Sequence, residues 1–292
     1  MCDDRSIRDM DDYVRRQGDL TRREFAGLTV GTGLAMLLPR AANAQDVVDG
    51  DVEIPTADGV ADAYFVHPAS GMHPGVLIWP DAMGLRPAFR MMARRLAESG
   101  YSVLVVNQYY RARRAPILPD GATFQDPGVR ESVMPLMASL SPSTHLTDAR
   151  SFVSFLDAQA SVDPNRMMGT MGYCMGGPIT MRTAAARPDR IGAGASFHGG
   201  GLVSDAPTSP HLLVPNMRAQ YLFAIAANDD MSDPQAKNVL RQTFDAAGLP
   251  AEIEVYQDTL HGWCPPDSAV YHEAQAERAW SRMLALFGTA LA

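Results

Sequence analysis

Cysteine is scarce in this 292-residue sequence, where it occurs only as Cys2, Cys174 and Cys264. Three isolated cysteines cannot form the set of bridges that holds a disulfide-rich protein together. No two of them have the C-x-x-C spacing of zinc sites or thiol redox centres, and the histidines show no metal-ligand spacing. The sequence therefore predicts neither a metal site nor a disulfide scaffold.

Basic residues are in the minority, since 25 Lys and Arg stand against 33 Asp and Glu for a formal charge of −8. Beyond the N-terminal segment, the basic cluster is confined to residues 111–114. A nucleic-acid-binding protein would need a basic surface, so this class is excluded and a small-molecule substrate is favoured. With 46% hydrophobic and 20% charged residues, the composition is that of a globular protein.

No hydrophobic run reaches the roughly 20 residues that a membrane-spanning helix needs. Near the N-terminus, Arg22 and Arg23 precede an apolar stretch at residues 26–38 and an A-x-A cleavage pattern at residues 42–44. This order resembles a twin-arginine (Tat) export signal. It predicts a signal peptide at residues 1–44, cleavage after Ala44, a periplasmic mature protein and no permanent membrane anchor. The alternative is an N-terminal amphipathic helix of a cytoplasmic protein.

Residues 45–292 alternate predicted strands and helices. A D-G turn at residues 57–59 joins two alternating segments into a β-hairpin, and short apolar runs typical of buried parallel strands follow. This order predicts a single α/β domain with a mostly parallel central sheet and helices on both faces. Residues 111–143 are irregular and are expected to face the substrate. The predicted strands cover residues 75–79, 101–107, 167–173, 191–197, 221–227 and 251–256, and the predicted helices cover residues 87–99, 146–158, 178–186, 234–247 and part of 268–291.

Cys174 stands where a predicted strand meets a predicted helix, within the sequence GYCMGG at residues 172–177. This G-x-C-x-G pattern matches the nucleophile elbow of esterases, with cysteine in place of serine. The positive end of the helix dipole would favour the thiolate, and the Met175 N–H would donate to an oxyanion. The alternative is a turn that packs a buried, unreactive cysteine.

An acid and a histidine follow in the order that such an elbow requires, each after a predicted strand. Asp229 and Asp230 follow one strand, and His261 follows the next. His261 would carry the thiol proton to the leaving group, while an aspartate holds the imidazole in the required tautomer. We favour Asp229 for this role, and Asp230 is the alternative. His198 ends another strand and is either a pocket residue or a hydrogen-bonded structural histidine.

These residues resemble the dienelactone hydrolase family of α/β-hydrolases, and the resemblance runs from about Val52 to the C-terminus. It implies the α/β-hydrolase fold and a catalytic triad of Cys174, Asp229 and His261. It further implies that the protein cleaves a small ester or lactone through an acyl-enzyme on the cysteine, without a cofactor.

The resemblance also assigns residues around the triad. Ala82 lies in a turn that looks like the family's first oxyanion turn, so its N–H is expected to be the second donor. Asp81 stands where the family has a glutamate that contacts the resting thiol. Arg111 matches the first of two arginines that hold the substrate carboxylate in founding members, whereas Pro265 occupies the second position, so a substrate other than dienelactone is expected. The predicted pocket walls are Tyr110 and Trp263.

Two other classes of protein fit the same fold. A non-catalytic protein would use the pocket only to hold a ligand, and it would not need a complete triad. A thiol redox protein needs a second cysteine near Cys174, and Cys264, three residues after His261, is the candidate. Packing of Cys264 as a small apolar residue is favoured over a bond to Cys174.

Overall fold

The structure of the protein, a computed structural model, describes residues 4–17, 38–39 and 44–292. Eight strands in this part of the chain form one sheet. The strands are β1 (Val47–Thr56), β2 (Gly59–Pro68), β3 (Gly75–Trp79), β4 (Ser102–Val106), β5 (Met168–Tyr173), β6 (Ile191–Phe197), β7 (Gln220–Ala226) and β8 (Ala251–Tyr256). The α-helices are α1 (Asp4–Gln17), α2 (Pro87–Glu98), α3 (Val129–Ala138), α4 (Pro142–Asp157), α5 (Gly176–Ala186), α6 (Ala227–Ser232), α7 (Ala236–Ala247) and α8 (Glu273–Ala290).

The strand order in the sheet is β1-β2-β4-β3-β5-β6-β7-β8. β1 and β2 pair antiparallel as the predicted hairpin, and β2 also runs antiparallel to β4. From β4 to β8 every neighbouring pair is parallel. All residues of β3, β4, β5 and β6 are buried, because helices cover both faces of a parallel sheet. The predicted α/β fold with a mostly parallel sheet is therefore confirmed.

Two apolar cores lie on opposite faces of the sheet. One core contains Phe89 of α2 and Phe287 of α8. The other contains Phe152 of α4, Ile179 of α5 and Phe244 of α7. This layering leaves the carboxyl ends of the parallel strands at one edge, where loops can carry functional side chains.

The structure differs from the predicted elements mainly between residues 111 and 143. Helix α3 lies inside this stretch although it contains Pro135, and its buried Val133 packs in a small cluster with Cys174. Helix α4 begins earlier than predicted, because Ser141 and Thr144 form a reciprocal capping box. The predicted irregular segment is thus partly helical, and it lies beside the elbow.

The N-terminal prediction concerns residues that the structure describes only in part. Arg22, Arg23 and nearly all of the apolar stretch lie outside the described residues, as does Cys2. Helix α1, which precedes the arginine pair, is described. No described helix combines the length and apolar character that a membrane crossing requires.

Candidate active site

Cys174 occupies the sharp turn between β5 and α5, with a φ of 53°. The flanking glycines are required by close packing. A Cβ on Gly172 would lie 2.2 Å from the Gly176 carbonyl oxygen, and a Cβ on Gly176 would lie 2.3 Å from the Trp79 carbonyl oxygen. Because real Cβ atoms do not approach backbone this closely, glycine is needed at both positions. The sequence therefore holds the Cys174 side chain in a strained backbone conformation at the end of β5.

His261 follows β8 and contacts Asp229. Its Nδ1 lies 2.9 Å from Asp229 Oδ2 and 3.0 Å from Oδ1. An ionised carboxylate only accepts, so Nδ1–H donates and Nε2 is left for the reacting groups. The His261 backbone N–H donates to the Asn228 side chain at 2.8 Å, which fixes the loop against α6.

The structure separates the two candidate acids. Asp229 faces His261, whereas Asp230 is bound by the Lys237 ammonium at 2.5 Å. Both acids lie on the short helix α6 and not on the loop that was predicted after β7. Consecutive residues of a helix point in different directions, so one of the two faces His261 and the other faces α7.

One cavity brings most of these side chains together. Cys174 and His261, each 3% exposed, line it with His198, which is 1% exposed. Asp81 and Ala82 line the same cavity, which is the arrangement expected for the oxyanion turn. The other lining residues come from α1, from the 111–143 stretch and from the loops after β3 and β8: Ser6, Ile7, Met10, Met83, Arg86, Thr123, Phe124, Gln125, Gly262, Asp267, Ser268 and Ala269.

Tyr109 is a residue of the site that sequence reasoning missed. Its hydroxyl donates to the Ala82 carbonyl oxygen at 2.9 Å and lies 3.0 Å from the Met175 sulfur. Tyr109 thereby connects the two turns whose amides are the expected oxyanion donors. The sequence favoured its neighbour Tyr110, because position alone does not tell which of two adjacent aromatic residues faces the elbow.

Asp81 belongs to a partly buried ion cluster that was also missed. Arg86 Nη1 lies 2.7 Å from Asp81 Oδ1, and Nε lies 2.6 Å from Asp267 Oδ2. Burial raises the pKa of Asp81, and the Arg86 guanidinium opposes this shift. Burial alone would lower the pKa of Arg86, but Asp267 and Asp81 together raise it. Both Asp81 oxygens accept hydrogen bonds from Arg86, so the guanidinium holds this carboxylate in place.

The residues predicted to bind substrate make other contacts in the structure, and their role in binding stays a prediction. Arg111 Nη1 and Nη2 bind the buried Asp148 at 2.8 and 2.6 Å, and Nη2 also binds Asp58. The Tyr110 hydroxyl donates to Asp148 at 2.9 Å. Trp263 is fully buried and stacks on Tyr256. None of the three predicted residues lines the cavity, because Arg111 and Tyr110 bind Asp148 and Trp263 packs in the core.

Cys174 and Cys264 are both buried, and they do not form a disulfide bond with each other. Cys264 packs in the same apolar core as Trp263, as favoured from the sequence. Burial raises the pKa of the Cys264 thiol well above its ordinary value, although His261 opposes the shift. A thiol that is hard to ionise is a poor partner for disulfide exchange. Among the described residues, no group of His, Cys, Asp or Glu is arranged to hold a metal ion.

An elbow at the carboxyl edge of a mostly parallel eight-stranded sheet, with an Asp–His pair in the same site, defines an α/β-hydrolase. Comparison with known proteins gives the family, since the model of the dienelactone hydrolase family matches residues 61–291. The chain therefore belongs to the dienelactone hydrolase family of ester and lactone hydrolases, and it is an enzyme.

Individual relatives agree with this assignment. A protein of Salmonella typhi, named provisionally as a carboxymethylenebutenolidase, is 30% identical over 244 residues, which cover 82% of this chain and 86% of that protein. The carboxymethylenebutenolidase of Rhodococcus opacus is 25% identical over 228 residues, covering 76% and 84% of the two chains. A crystal structure from Klebsiella pneumoniae, provisionally titled a dienelactone hydrolase, has a TM-score of 0.71 at 26% identity and covers 84% of this chain and 100% of its own.

Proposed function

We propose that this enzyme hydrolyses a small ester or lactone through a thioester on Cys174, with His261 as the proton carrier and Asp229 as its support. One observation carries the proposal: a cysteine on a strained elbow shares a cavity with a histidine whose Nδ1 is bound by a carboxylate. A non-catalytic pocket has no need of this strain or of this pairing.

In the first half-reaction, the Cys174 sulfur attacks the carbonyl carbon while His261 holds the thiol proton. The carbonyl oxygen becomes an oxyanion that accepts hydrogen bonds from the Ala82 and Met175 N–H groups. When this intermediate collapses, the bond to the leaving oxygen breaks and that oxygen takes the proton from His261. Water then gives a proton to His261 and attacks the thioester, which releases the acid and restores the thiol.

The charged residues around the cavity favour a substrate that has no carboxylate near the reacting carbonyl. Arg86, the guanidinium that lines the cavity, is already bound by Asp81 and Asp267. Arg111 is bound by Asp148, and Pro265 has no charge to offer. A carboxylate in this cavity would therefore meet two acids and one occupied cation, which favours a neutral ester or lactone.

The experiment is a panel of neutral and anionic lactones and short esters, assayed with the full-length protein, Cys174→Ala and the matched variant Cys264→Ala. We expect turnover of neutral substrates to disappear in Cys174→Ala and to persist in Cys264→Ala, since the second thiol packs in the core. Trapping of a thioester by mass spectrometry would support the acyl-enzyme. Turnover that survives in Cys174→Ala refutes the nucleophile, and ligand binding without turnover would favour the non-catalytic alternative.

We further propose that the protein is exported through its twin-arginine segment and that cleavage after Ala44 releases residues 45–292 in the periplasm. The support is the order of arginine pair, apolar stretch and A-x-A pattern in the sequence. Replacement of Arg22 and Arg23 by lysine should retain the precursor in the cytoplasm. Mature protein in the periplasm of that double variant, with an N-terminus near Gln45, would refute the twin-arginine assignment.

A further inference from the structure

His198 places a second imidazole beside the proposed catalytic histidine. The His198 and His261 ring centroids are 5.0 Å apart, with the rings at 70° to each other. His198 is 1% exposed and lines the cavity, and neither of its ring nitrogens has a hydrogen-bond partner among the described residues. Buried polar groups are nearly always hydrogen-bonded, so two unpaired nitrogens at a cavity wall indicate that a ligand supplies the partner.

The backbone of His198 is also unusual. Its φ is 40°, a left-handed value that is costly for a residue with a side chain. The His198 N–H donates to the Ala224 carbonyl oxygen at 2.8 Å, which holds the residue at the end of β6. Burial, and then the neighbouring His261, lowers the pKa of His198 well below its ordinary value. The ring is therefore a neutral imidazole, which has one N–H donor and one acceptor.

We propose that His198 binds the leaving-group side of the substrate, an inference that rests on the proposed hydrolysis. The leaving oxygen must approach His261 to take its proton, and the His198 ring packs against that same histidine. A neutral N–H from His198 stabilises the negative charge that develops on the leaving oxygen as its bond to the carbonyl carbon breaks. His261 supplies the proton that the leaving group carries away, and His198 keeps its own.

The test compares two esters of one acyl group, an ethyl ester and a p-nitrophenyl ester. A nitrophenolate leaves without help, whereas an alkoxide needs charge stabilisation and a proton. We expect His198→Phe to lower kcat/KM for the ethyl ester by about tenfold, the value of one hydrogen bond, and to change the nitrophenyl value by less than about twofold. His198→Gln, which keeps a donor, should recover part of the loss.

The ratio of the two esters separates this role from others. Poor access to the cavity slows both esters, so the ratio would not move. A disturbed His261 also slows the nitrophenyl ester, because the histidine must take the thiol proton with either substrate. An equal loss on both esters in His198→Phe would overturn the proposal while leaving the hydrolysis intact. A wild-type protein that hydrolyses neither ester would refute the proposed function, and the role of His198 with it.

Helix α1 carries an independent inference, because it packs over the same cavity. Ile7 and Met10 lie one helical turn apart, line the cavity and are 5% and 8% exposed. Asp12 and Arg15, on another face of the helix, are exposed and pair with each other. α1 is thus an amphipathic helix whose apolar stripe is buried at the site.

Polar contacts join α1 to the proposed triad. The Ser6 hydroxyl, 3.3 Å away, donates to Asp229 Oδ1, the oxygen that also accepts from His261. The Asn228 side chain donates to Asp9 Oδ2, likewise at 3.3 Å. With α1 in place, the cavity holds about 60 Å³. Binding sites for small molecules usually have about 300 to 1,000 Å³, so the docked helix leaves little room for a substrate.

We infer that α1 covers the active site in the full-length chain and slows, without abolishing, the access of substrates and reagents to the Cys174 sulfur. Cleavage after Ala44, proposed above, would separate the cover from residues 45–292. The inference itself depends only on the docking of α1 and can be tested without export. The cover should slow every reagent that must reach the Cys174 sulfur, whether or not that reagent is an ester.

The test uses full-length chains with charges placed on α1. In Ile7→Asp/Met10→Asp, buried carboxylates oppose docking, and in Ser6→Asp a carboxylate lies against Asp229. Tyr13→Asp, at a position that is 39% exposed, is the matched control. Alkylation by iodoacetamide is followed on the Cys174 peptide by mass spectrometry, together with hydrolysis of p-nitrophenyl acetate. We expect both rates to rise at least about tenfold in the first two variants and to stay at the wild-type level in the control.

The outcomes separate the cover from the proposed chemistry. Equal alkylation rates in the wild type and both docking variants would overturn the cover, as would an equal acceleration in Tyr13→Asp. Faster alkylation without a gain in ester hydrolysis would support the cover and refute the proposed hydrolysis. Because α1 contributes no side chain to the two sheet cores, these variants leave the folding of the α/β domain unaffected.

Discussion

Removal of the Arg86 side-chain charge is expected to have a large effect on stability outside the proposed triad. The Arg86 side chain is 12% exposed, and its partners Asp81 and Asp267 are 14% and 21% exposed. Arg86→Met keeps the aliphatic volume and leaves two largely buried carboxylates near each other without a cation. The loss of one partner from a buried ion pair is far more costly than the loss of an exposed pair.

The magnitude follows from the charges and their separation. Two unit charges about 4 Å apart interact by about 4 kcal/mol at the effective dielectric constant of a protein. Truncation of one partner in a buried pair typically costs about 3 to 5 kcal/mol. We therefore expect Arg86→Met to lower the free energy of unfolding by about 3 to 5 kcal/mol at pH 7. Arg94→Met, which breaks a pair of exposed side chains with Asp49, should cost at most about 1 kcal/mol.

Urea unfolding at several pH values is the assay, because the variant should also acquire a characteristic pH dependence. Burial raises the pKa of Asp81, and loss of Arg86 removes the opposing charge, so the folded state binds a proton more tightly than the unfolded state. Stability of Arg86→Met should therefore increase as the pH falls from 7 to 5. The reasoning would be refuted if Arg86→Met lowered the free energy of unfolding by less than about 1 kcal/mol at pH 7. It would also be refuted if the stability of the variant changed in parallel with that of the wild type as the pH is lowered.

Three further predictions concern stability and specificity. Gly176→Ala should lower the free energy of unfolding by more than about 3 kcal/mol or prevent folding, because the new Cβ would collide with the Trp79 carbonyl. Gly288→Ala, at an exposed helical site with open space around it, should raise the free energy of unfolding by up to about 1 kcal/mol. Thermal unfolding of the two variants and the wild type tests both predictions. Burial, with Arg182 and Arg111, lowers the pKa of His145 to about 3, so the unfolded state binds more protons below pH 6.5. From pH 6.5 to 4.5 the wild type should lose about 2 to 3 kcal/mol through this residue, a loss absent in His145→Leu in urea unfolding. Arg111→Ala should destabilise by about 3 kcal/mol and change KM for anionic and neutral esters alike; a selective rise for anions would restore its predicted role in binding.

The fold could be predicted because parallel strands leave a local signature. Strands buried on both faces are short continuous apolar runs, and β6 begins and ends where the sequence predicts it. β8, a partly buried strand at the edge of the sheet, also has the predicted bounds. Helix α3 could not be predicted in the same way. Pro135 lies inside it, and Gly128 precedes it with a left-handed backbone, two features that favour a loop in isolation. Packing of its apolar side chains in the cluster beside Cys174 overrides these local preferences.

The residues of the candidate site also differ in whether the sequence could predict them. Cys174 could be found because the elbow imposes steric demands on its immediate neighbours, and those demands appear as glycines in the sequence. Arg86 and Ser6 could not be found, because their partners lie 181 and 223 residues away along the chain. Arg111 illustrates a third case. The sequence places this residue near the correct edge of the sheet, but it does not show in which direction the side chain points. Asp148 and Asp58, on neighbouring elements, bind this guanidinium outside the cavity.

Long-range contacts also explain how separate loops form one active site. Asp81 precedes Ala82, the expected oxyanion donor after β3, and Asp267 lies in the loop that carries His261 after β8. Since Arg86 binds both acids, a shift of the expected oxyanion turn relative to the histidine loop would break hydrogen bonds to a largely buried cation. Tyr109 joins the oxyanion turn to the elbow in the same manner. The positions of the proposed nucleophile, the expected oxyanion donors and the histidine are therefore coupled by residues that need not touch the substrate, and substitutions at Arg86 should lower kcat as well as stability.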